Sequence, residues 1–220
     1  MGFSQETIDI LWGIRFNNNR SWFNEHREQY KRFVHDPMVE VSEEVFNRIR
    51  AFDKDFADRP KVSRANRDTR FSKNKDPYKE TKWVMFREDQ SSGIEHDSPN
   101  YYFEVSPDAY AFGLGYWPQA KGMAALRAAF DANPAEASSI VRTVDDLGFF
   151  NVEGEVYKRA KSKHQDACSK WYNMKSITLA KSAPHDEILF DQERLISFIA
   201  EKFLSVYFVY SYFLRISRTF

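Results

Sequence analysis

The segment Val-Ser-Arg-Ala-Asn-Arg-Asp-Thr-Arg-Phe-Ser-Lys-Asn-Lys-Asp-Pro-Tyr-Lys, from Val62 to Lys79, constrains the fold of this chain more than any other. Six cations (Arg64, Arg67, Arg70, Lys73, Lys75 and Lys79) stand there against two acids, Asp68 and Asp76. Its apolar residues follow neither the helical period of about 3.6 nor the strand period of 2. It is no disordered tail, because Val62, Phe71 and Tyr78 punctuate it and aromatic-rich segments follow. The chain must hold an irregular cationic loop within a folded domain.

Upstream, the pattern is helical. Phe3 and Ile8 have the spacing of a hydrophobic staple around Ser4 as N-cap, and Ile8, Leu11 and Trp12 form one face. Asn17, Asn18 and Asn19 end that helix, since asparagine favours turns and caps. A second helix from about Arg20 carries Phe23, Tyr30 and Val34 along one side. Asp36-Pro37 predicts the start of a third, with Met38, Val41, Val45, Ile49 and Phe52 on one stripe.

Downstream, the period changes. Residues 82–87 are rich in strand formers, and two further strands, 101–105 and 109–117, flank the turn Ser106-Pro107-Asp108. Gly113 and Gly115 leave one face of the second strand bare, so that a helix or a ligand can lie close. Pro118 and Asn133-Pro134 open two helices, the second with Ala137, Ile140, Val141, Val144 and Leu147 inward and Gly148 as its stop. Residues 149–159 predict a second hairpin turning near Glu153-Gly154, 166–172 a short helix, and 175–181 a strand; Asp191 caps a long last helix. Strands come as hairpins, without strand-helix-strand alternation. The expectation is one α+β domain over residues 1–220, a mostly antiparallel sheet flanked by helices. Its helical part covers about 4–55, its sheet-containing part about 60–190, and its C-terminal helix about 191–214.

Charge narrows the function. Lys+Arg and Asp+Glu balance at 32 each, which argues against sequence-independent coating of DNA, a process driven by phosphate neutralisation. One cysteine, Cys168, excludes an internal disulfide and fits a reducing compartment. The start of the chain lacks the basic and apolar regions of a signal peptide. Phe203 to Ile216 is apolar over about 14 residues, short of the roughly 20 that a membrane span needs. A cytoplasmic protein without membrane partners is expected.

Arg64-x-x-Arg67-Asp68-x-Arg70-Phe71-x-x-x-Lys75-x-Pro77-Tyr78-Lys79 resembles the signature of a bacterial family known as domain of unknown function 2461. Glu80 stands where that signature usually has Thr. Asn17-Asn18-Asn19-Arg20-x-Trp22-Phe23 is similar to the family's opening motif. So are Tyr101-Tyr102 through Ser106-Pro107-Asp108, Gly113-x-Gly115 before Pro118, and Gly154-Glu155-x-Tyr157-Lys158. The resemblance spans nearly the whole chain and implies a fold and a family, but no activity.

The residues themselves point to anion binding. Arginine offers a planar fork that grips phosphate or carboxylate through two hydrogen bonds. Arg64, Arg67, Arg70, Lys75 and Lys79 together predict a pocket for a phosphate-bearing ligand, an anionic small molecule or nucleotide, on which the protein could act as an enzyme. In it Asp68 orients an arginine or accepts a proton, and Tyr78 lines the wall. A nucleic-acid-binding module is the second reading, with the loop tracking a backbone and aromatics stacking on bases. A scaffold in which the arginines form a salt-bridge network is the third, with Glu104 as the candidate partner.

No cofactor is read from the sequence. The Gly113-x-Gly115 pair lacks the third glycine of a dinucleotide fingerprint, Pro118 standing in its place. No metal site is read either: the five histidines are scattered, and Glu95-His96-Asp97 and His185-Asp186-Glu187 read as polar turns. No Gly-x-Ser-x-Gly elbow supports nucleophilic hydrolysis.

Overall fold

The computed structural model describes residues 2–56, 59–70, 73–87, 97–162 and 167–219. It has the α+β architecture expected, with an open antiparallel sheet of six strands among the described residues. The strands are β1 (Lys61–Val62), β2 (Lys82–Phe86), β3 (Asn100–Val105), β4 (Tyr110–Tyr116), β5 (Asn151–Glu153) and β6 (Ile177–Ala183), in the spatial order β1-β2-β3-β4-β6-β5. Contacts divide the chain into two units, each assembled from three segments. The first takes Met1–Phe86, Tyr102–Phe112 and Ser182–Glu201; the second takes Arg87–Tyr101, Gly113–Lys181 and Lys202–Phe220.

The first unit begins with α1 (Gln5–Phe16), and its start follows the sequence closely. Ser4 N donates to Thr7 Oγ1 and Thr7 N to Ser4 O, both at 3.0 Å, while Phe3 and Ile8 are buried on either side. The short helices α2 (Arg20–Glu25) and α3 (Arg27–Tyr30) follow. A π-helical turn, Lys31–His35, then runs directly into α4 (Asp36–Phe52). α4 starts at Asp36-Pro37 as expected, but Asp36 is not its non-helical N-cap. Asp36 is already helical (φ −63°, ψ −44°), and its N–H reaches back to Lys31 O. Proline lacks an N–H and crowds the preceding turn, so an interior proline demands a local distortion, and the wide π turn supplies it. Met38, Val41, Val45 and Ile49 face the core as expected, whereas Phe52 is 64% exposed.

In the second unit, α5 (Ala120–Ala132) buries Met123, Leu126 and Phe130. α6 (Pro134–Leu147) starts where Asn133 Oδ1 accepts from Glu136 N at 3.2 Å and stops at left-handed Gly148 (φ 59°). Ala137, Ile140, Val141 and Val144 are buried, but Leu147 at the last turn is exposed. The hairpin expected at 149–159 does not form. β5 pairs with β6 (Val152↔Leu179), and Val156 bridges Met174. At Gly154 the chain passes so close to β6's approach that an added Cβ would lie 2.0 Å from Ser176 O. The short helix is α7 (Cys168–Tyr172); residue 166 of the expected span lies outside the described residues.

After α8 (Glu187–Phe190), the long C-terminal helix is two helices, α9 (Gln192–Ser205) and α10 (Tyr207–Ser217). Buried Val206 takes φ −115° and ψ 19°, outside the helical region, and ends the first. Asp191 Oδ1 accepts from Arg194 N at 3.1 Å, as a cap should. Among the described residues no helix is long and apolar enough to cross a membrane.

Candidate functional site

The cationic segment closes on itself. Asn66 and Tyr78 form an antiparallel bridge; Arg67 N donates to Pro77 O and Lys79 N to Ala65 O, each at 2.8 Å. The side chain of Asn18 grips the same point, accepting from Tyr78 N and donating to Tyr78 O, both at 3.0 Å. The Tyr78 ring stacks on Phe23, with centroids 3.9 Å apart and planes 12° from parallel. Each of the three asparagines therefore has its own structural task. Asn17 Nδ2 binds Gly13 O at the end of α1, and Asn19 Oδ1 caps α2 through Trp22 N. Trp22 stacks on His26 at 4.0 Å and covers Gly13, so the corner is structural.

Asn18→Ala strips two backbone groups of Tyr78 of their shared partner. Unmade hydrogen bonds of this kind cost about 1–3 kcal/mol, and a loss of about 2 kcal/mol in urea unfolding is expected. An unchanged unfolding midpoint would refute the pin.

Beside the bridge opens a cleft of about 290 Å³. Phe23, Arg27, Tyr30, Lys31, His35, Arg64, Ala65, Asn66, Tyr78 and Lys82 line it. Four of these carry a cationic side chain, and none is Asp or Glu. Arg64 makes no ion pair among the described residues. Lys31 pairs with Asp36 at 2.7 Å, and Arg27 donates to Asn24 Oδ1 at 3.0 Å.

The other expected ligand residues brace the loop. Arg70 binds Asp68 (Nη2–Oδ2 2.7 Å), and this holds the Asp68 carboxyl well below the usual carboxylate range. Of the two roles expected of Asp68, its pairing places it where it orients Arg70. Lys75 Nζ donates to Thr69 O at 2.8 Å. Lys79 Nζ donates to Arg64 O and Asn66 O, both at 3.0 Å, and burial with Arg64 and Arg67 nearby depresses its pKa. Arg67 Nη2 is 3.4 Å from Tyr78 O, while its Nε is buried without a hydrogen-bond partner among the described residues. Glu104 forms no ion pair among the described residues, and burial raises its carboxyl pKa. It is not the arginines' partner. Phe71 of the signature lies outside the described residues.

The model of the family described as conserved hypothetical protein (DUF2461) matches residues 6–212. The chain belongs to this family. No curated protein matches it. The arginine signature of this DUF2461 protein thus does two jobs: Arg64 and Tyr78 line the cleft, while Arg67, Asp68, Arg70, Lys75 and Lys79 tie the loop together.

Two cleft residues of the DUF2461 chain escaped the sequence reading. Lys82 is 1% exposed, with its Nζ donating to Ser63 O and 2.9 Å from His35 Nδ1. A signal existed: Lys82, Val84 and Phe86 share one strand face, so a lysine stands in register with two core residues. His35 had no comparable signal, because the π turn sets its direction. Burial and nearby Lys82 lower its pKa.

The remaining motifs resolve as structure. Gly113 and Gly115 admit neither a helix nor a ligand: positions for their Cβ atoms are taken by Leu179 O and the Trp117 indole. In the His185 triplet, Asp186 Oδ1 caps α8 through Ile188 N and Leu189 N, and His185 Nε2 sits 3.0 Å from Ser106 O. Residues 95 and 96 and His164 lie outside the described residues; among those described no cluster of three metal-ligating side chains occurs. Cys168 is a buried free thiol.

Proposed function

We propose that this DUF2461 protein binds a phosphate-bearing small anion in the cleft beside the arginine loop. One observation carries the reading: among the described residues the lining holds Arg27, Lys31, Arg64 and Lys82 and no carboxylate. Of these Lys31 is paired with Asp36, and the cations that remain in a hollow with low-dielectric walls focus positive potential and raise the local anion concentration. Arg64, free of ion pairs among the described residues, offers the bidentate fork that phosphate prefers. Lys79 and Arg67, held just behind the wall, add to the field. Asn66 and Tyr78 supply neutral polar groups for the rest of the ligand. The setting we propose is the cytoplasm, where the thiol of Cys168 stays reduced.

Thermal unfolding tests this with inorganic phosphate and adenosine monophosphate. A ligand at a hundred times its Kd stabilises the fold by about 2.7 kcal/mol, several degrees in Tm for a chain of this size. The wild type is expected to respond saturably to at least one of the two. Arg64→Met should lose that response, and Arg194→Met, remote from the cleft and paired with Glu187, should keep it. No response in the wild type overturns the proposal. A response that grows with oligonucleotide length and collapses with salt transfers the cleft to nucleic-acid binding instead.

A further inference from the structure

The wall of this cleft contains an amine with no counter-ion among the described residues. Lys82 Nζ donates to the backbone carbonyl of Ser63 and sits 2.9 Å from His35 Nδ1. The ring of Tyr30 lies 5.7 Å from it, Lys79 is near enough to add repulsion, and Arg64 and Lys31 line the same cleft, with Asp36 paired to Lys31 beside His35. Among the described residues no acid lines the space. A structural lysine normally earns its burial by pairing with a carboxylate. Here the environment does the opposite and favours the neutral amine.

We propose that Lys82 is a nucleophilic amine that forms an imine with a small phosphate-bearing aldehyde or ketone, and that His35 relays the protons. The inference rests on the anion-binding reading, since Arg64, Arg27 and Lys31 hold the charged end of such a substrate. Three features converge on the same atom: a cleft that reaches it, a histidine nitrogen within hydrogen-bond distance, and cations placed for an anion. Lysines desolvated beside other cations are the ones that serve as carbonyl nucleophiles.

The step balances. Lys82 and His35 begin with one shared proton to relay. The free amine's lone pair attacks the carbonyl carbon as the C=O π pair moves onto oxygen, which takes a proton from the imidazolium. His35 then removes a proton from nitrogen and returns it to the hydroxyl, which leaves as water while the C=N bond forms. Ammonium plus carbonyl has become iminium plus water, with no change of oxidation state.

Burial, with Lys79 nearby, pushes the Lys82 pKa down to about 8. At pH 7.5 an amine of that pKa is about one quarter neutral, against about 0.1% for an ordinary lysine.

The test is reductive trapping: whole protein, glycolaldehyde phosphate and borohydride at pH 7.5, with adducts mapped by peptide mass spectrometry. Lys82 is expected to be modified at least tenfold faster than any other lysine, and His35→Gln to slow that labelling about tenfold without a matching fall in Tm. Mapping on the wild type decides the matter even if Lys82→Met fails to fold. Stabilisation by glycolaldehyde phosphate without an adduct on Lys82 overturns the imine and leaves the anion site standing. Equal labelling of Lys82 by glycolaldehyde without phosphate supports the amine and overturns the anion site. Adducts scattered over exposed lysines, with no stabilisation, overturn both.

Discussion

Lys82→Met is expected to abolish a rise in stability that the wild type shows between about pH 8 and pH 10.5. In the folded protein burial lowers the lysine pKa to about 8 from its ordinary value of 10.5. Between those values the unfolded chain binds a proton that the folded chain does not, so stability increases with pH across that window. Below pH 8 both states are protonated, and the folded state bears the full cost of a buried ammonium. Above pH 10.5 both are neutral, and the cost is gone. The difference amounts to about 3 kcal/mol. Groups that do not interact with Lys82 cancel when wild type and variant are compared at each pH; His35 and Lys79, whose charges act on or feel that of Lys82, are part of the difference. Tyr30, which faces Lys82, has its pKa raised by burial and stays neutral through most of the window. Urea unfolding at pH 7.5, 9 and 10.5 reads the effect, and parallel curves for the two proteins would show that Lys82 keeps its proton without cost.

Gly113→Val should be the most damaging single change in the sheet. A Cβ at this position would lie 1.9 Å from Leu179 O and 3.2 Å from Ala180 Cα. Real Cβ contacts do not fall below about 3 Å, and the obstacle is backbone, which cannot swing aside as a side-chain tip can. Forcing extra atoms into a packed interior costs about 1–3 kcal/mol where neighbours can adjust and more where they cannot. A loss of about 3 kcal/mol or more is expected, a fall in Tm of about 6–12 °C. Gly115→Ala is expected to be milder, since the Cβ there meets the Trp117 indole, at the cost of that ring's 2.8 Å hydrogen bond to Thr178 Oγ1. Equal stability of Gly113→Val and wild type would mean that β4 and β6 do not approach this closely.

Much of the fold was legible because local chemistry and tertiary structure agree there. Ser4, Asn19, Asn133 and Asp191 cap helices, Gly148 ends one, and the turn at Ser106 closes through Ser106 N and Ala109 O at 2.9 Å. These are contacts between residues within four positions of each other, and a sequence displays them directly. The errors fall where the partner is distant. β5 has a short, mostly exposed strand pattern, and its mate is about 28 residues away in β6, so neighbours alone suggest the nearer arm of a hairpin. Pro37 does stand at the start of α4, but the π turn that runs into it has no composition of its own to reveal it.

The same division runs through the site. The excess of cations over acids from Arg64 to Lys79 belongs to the sequence, and it alone marks this loop as unusual. Which cation faces the cleft is settled only in three dimensions. Asp68 neutralises Arg70 beside it, backbone carbonyls draw in Lys75 and Lys79, and Arg64 is left turned toward open space. Lys82 and His35, 47 positions apart, meet because a strand face and a π turn aim both at one point. Charge and capping are properties of neighbours along the chain, whereas a buried amine without a counter-ion is a property of everything packed around it.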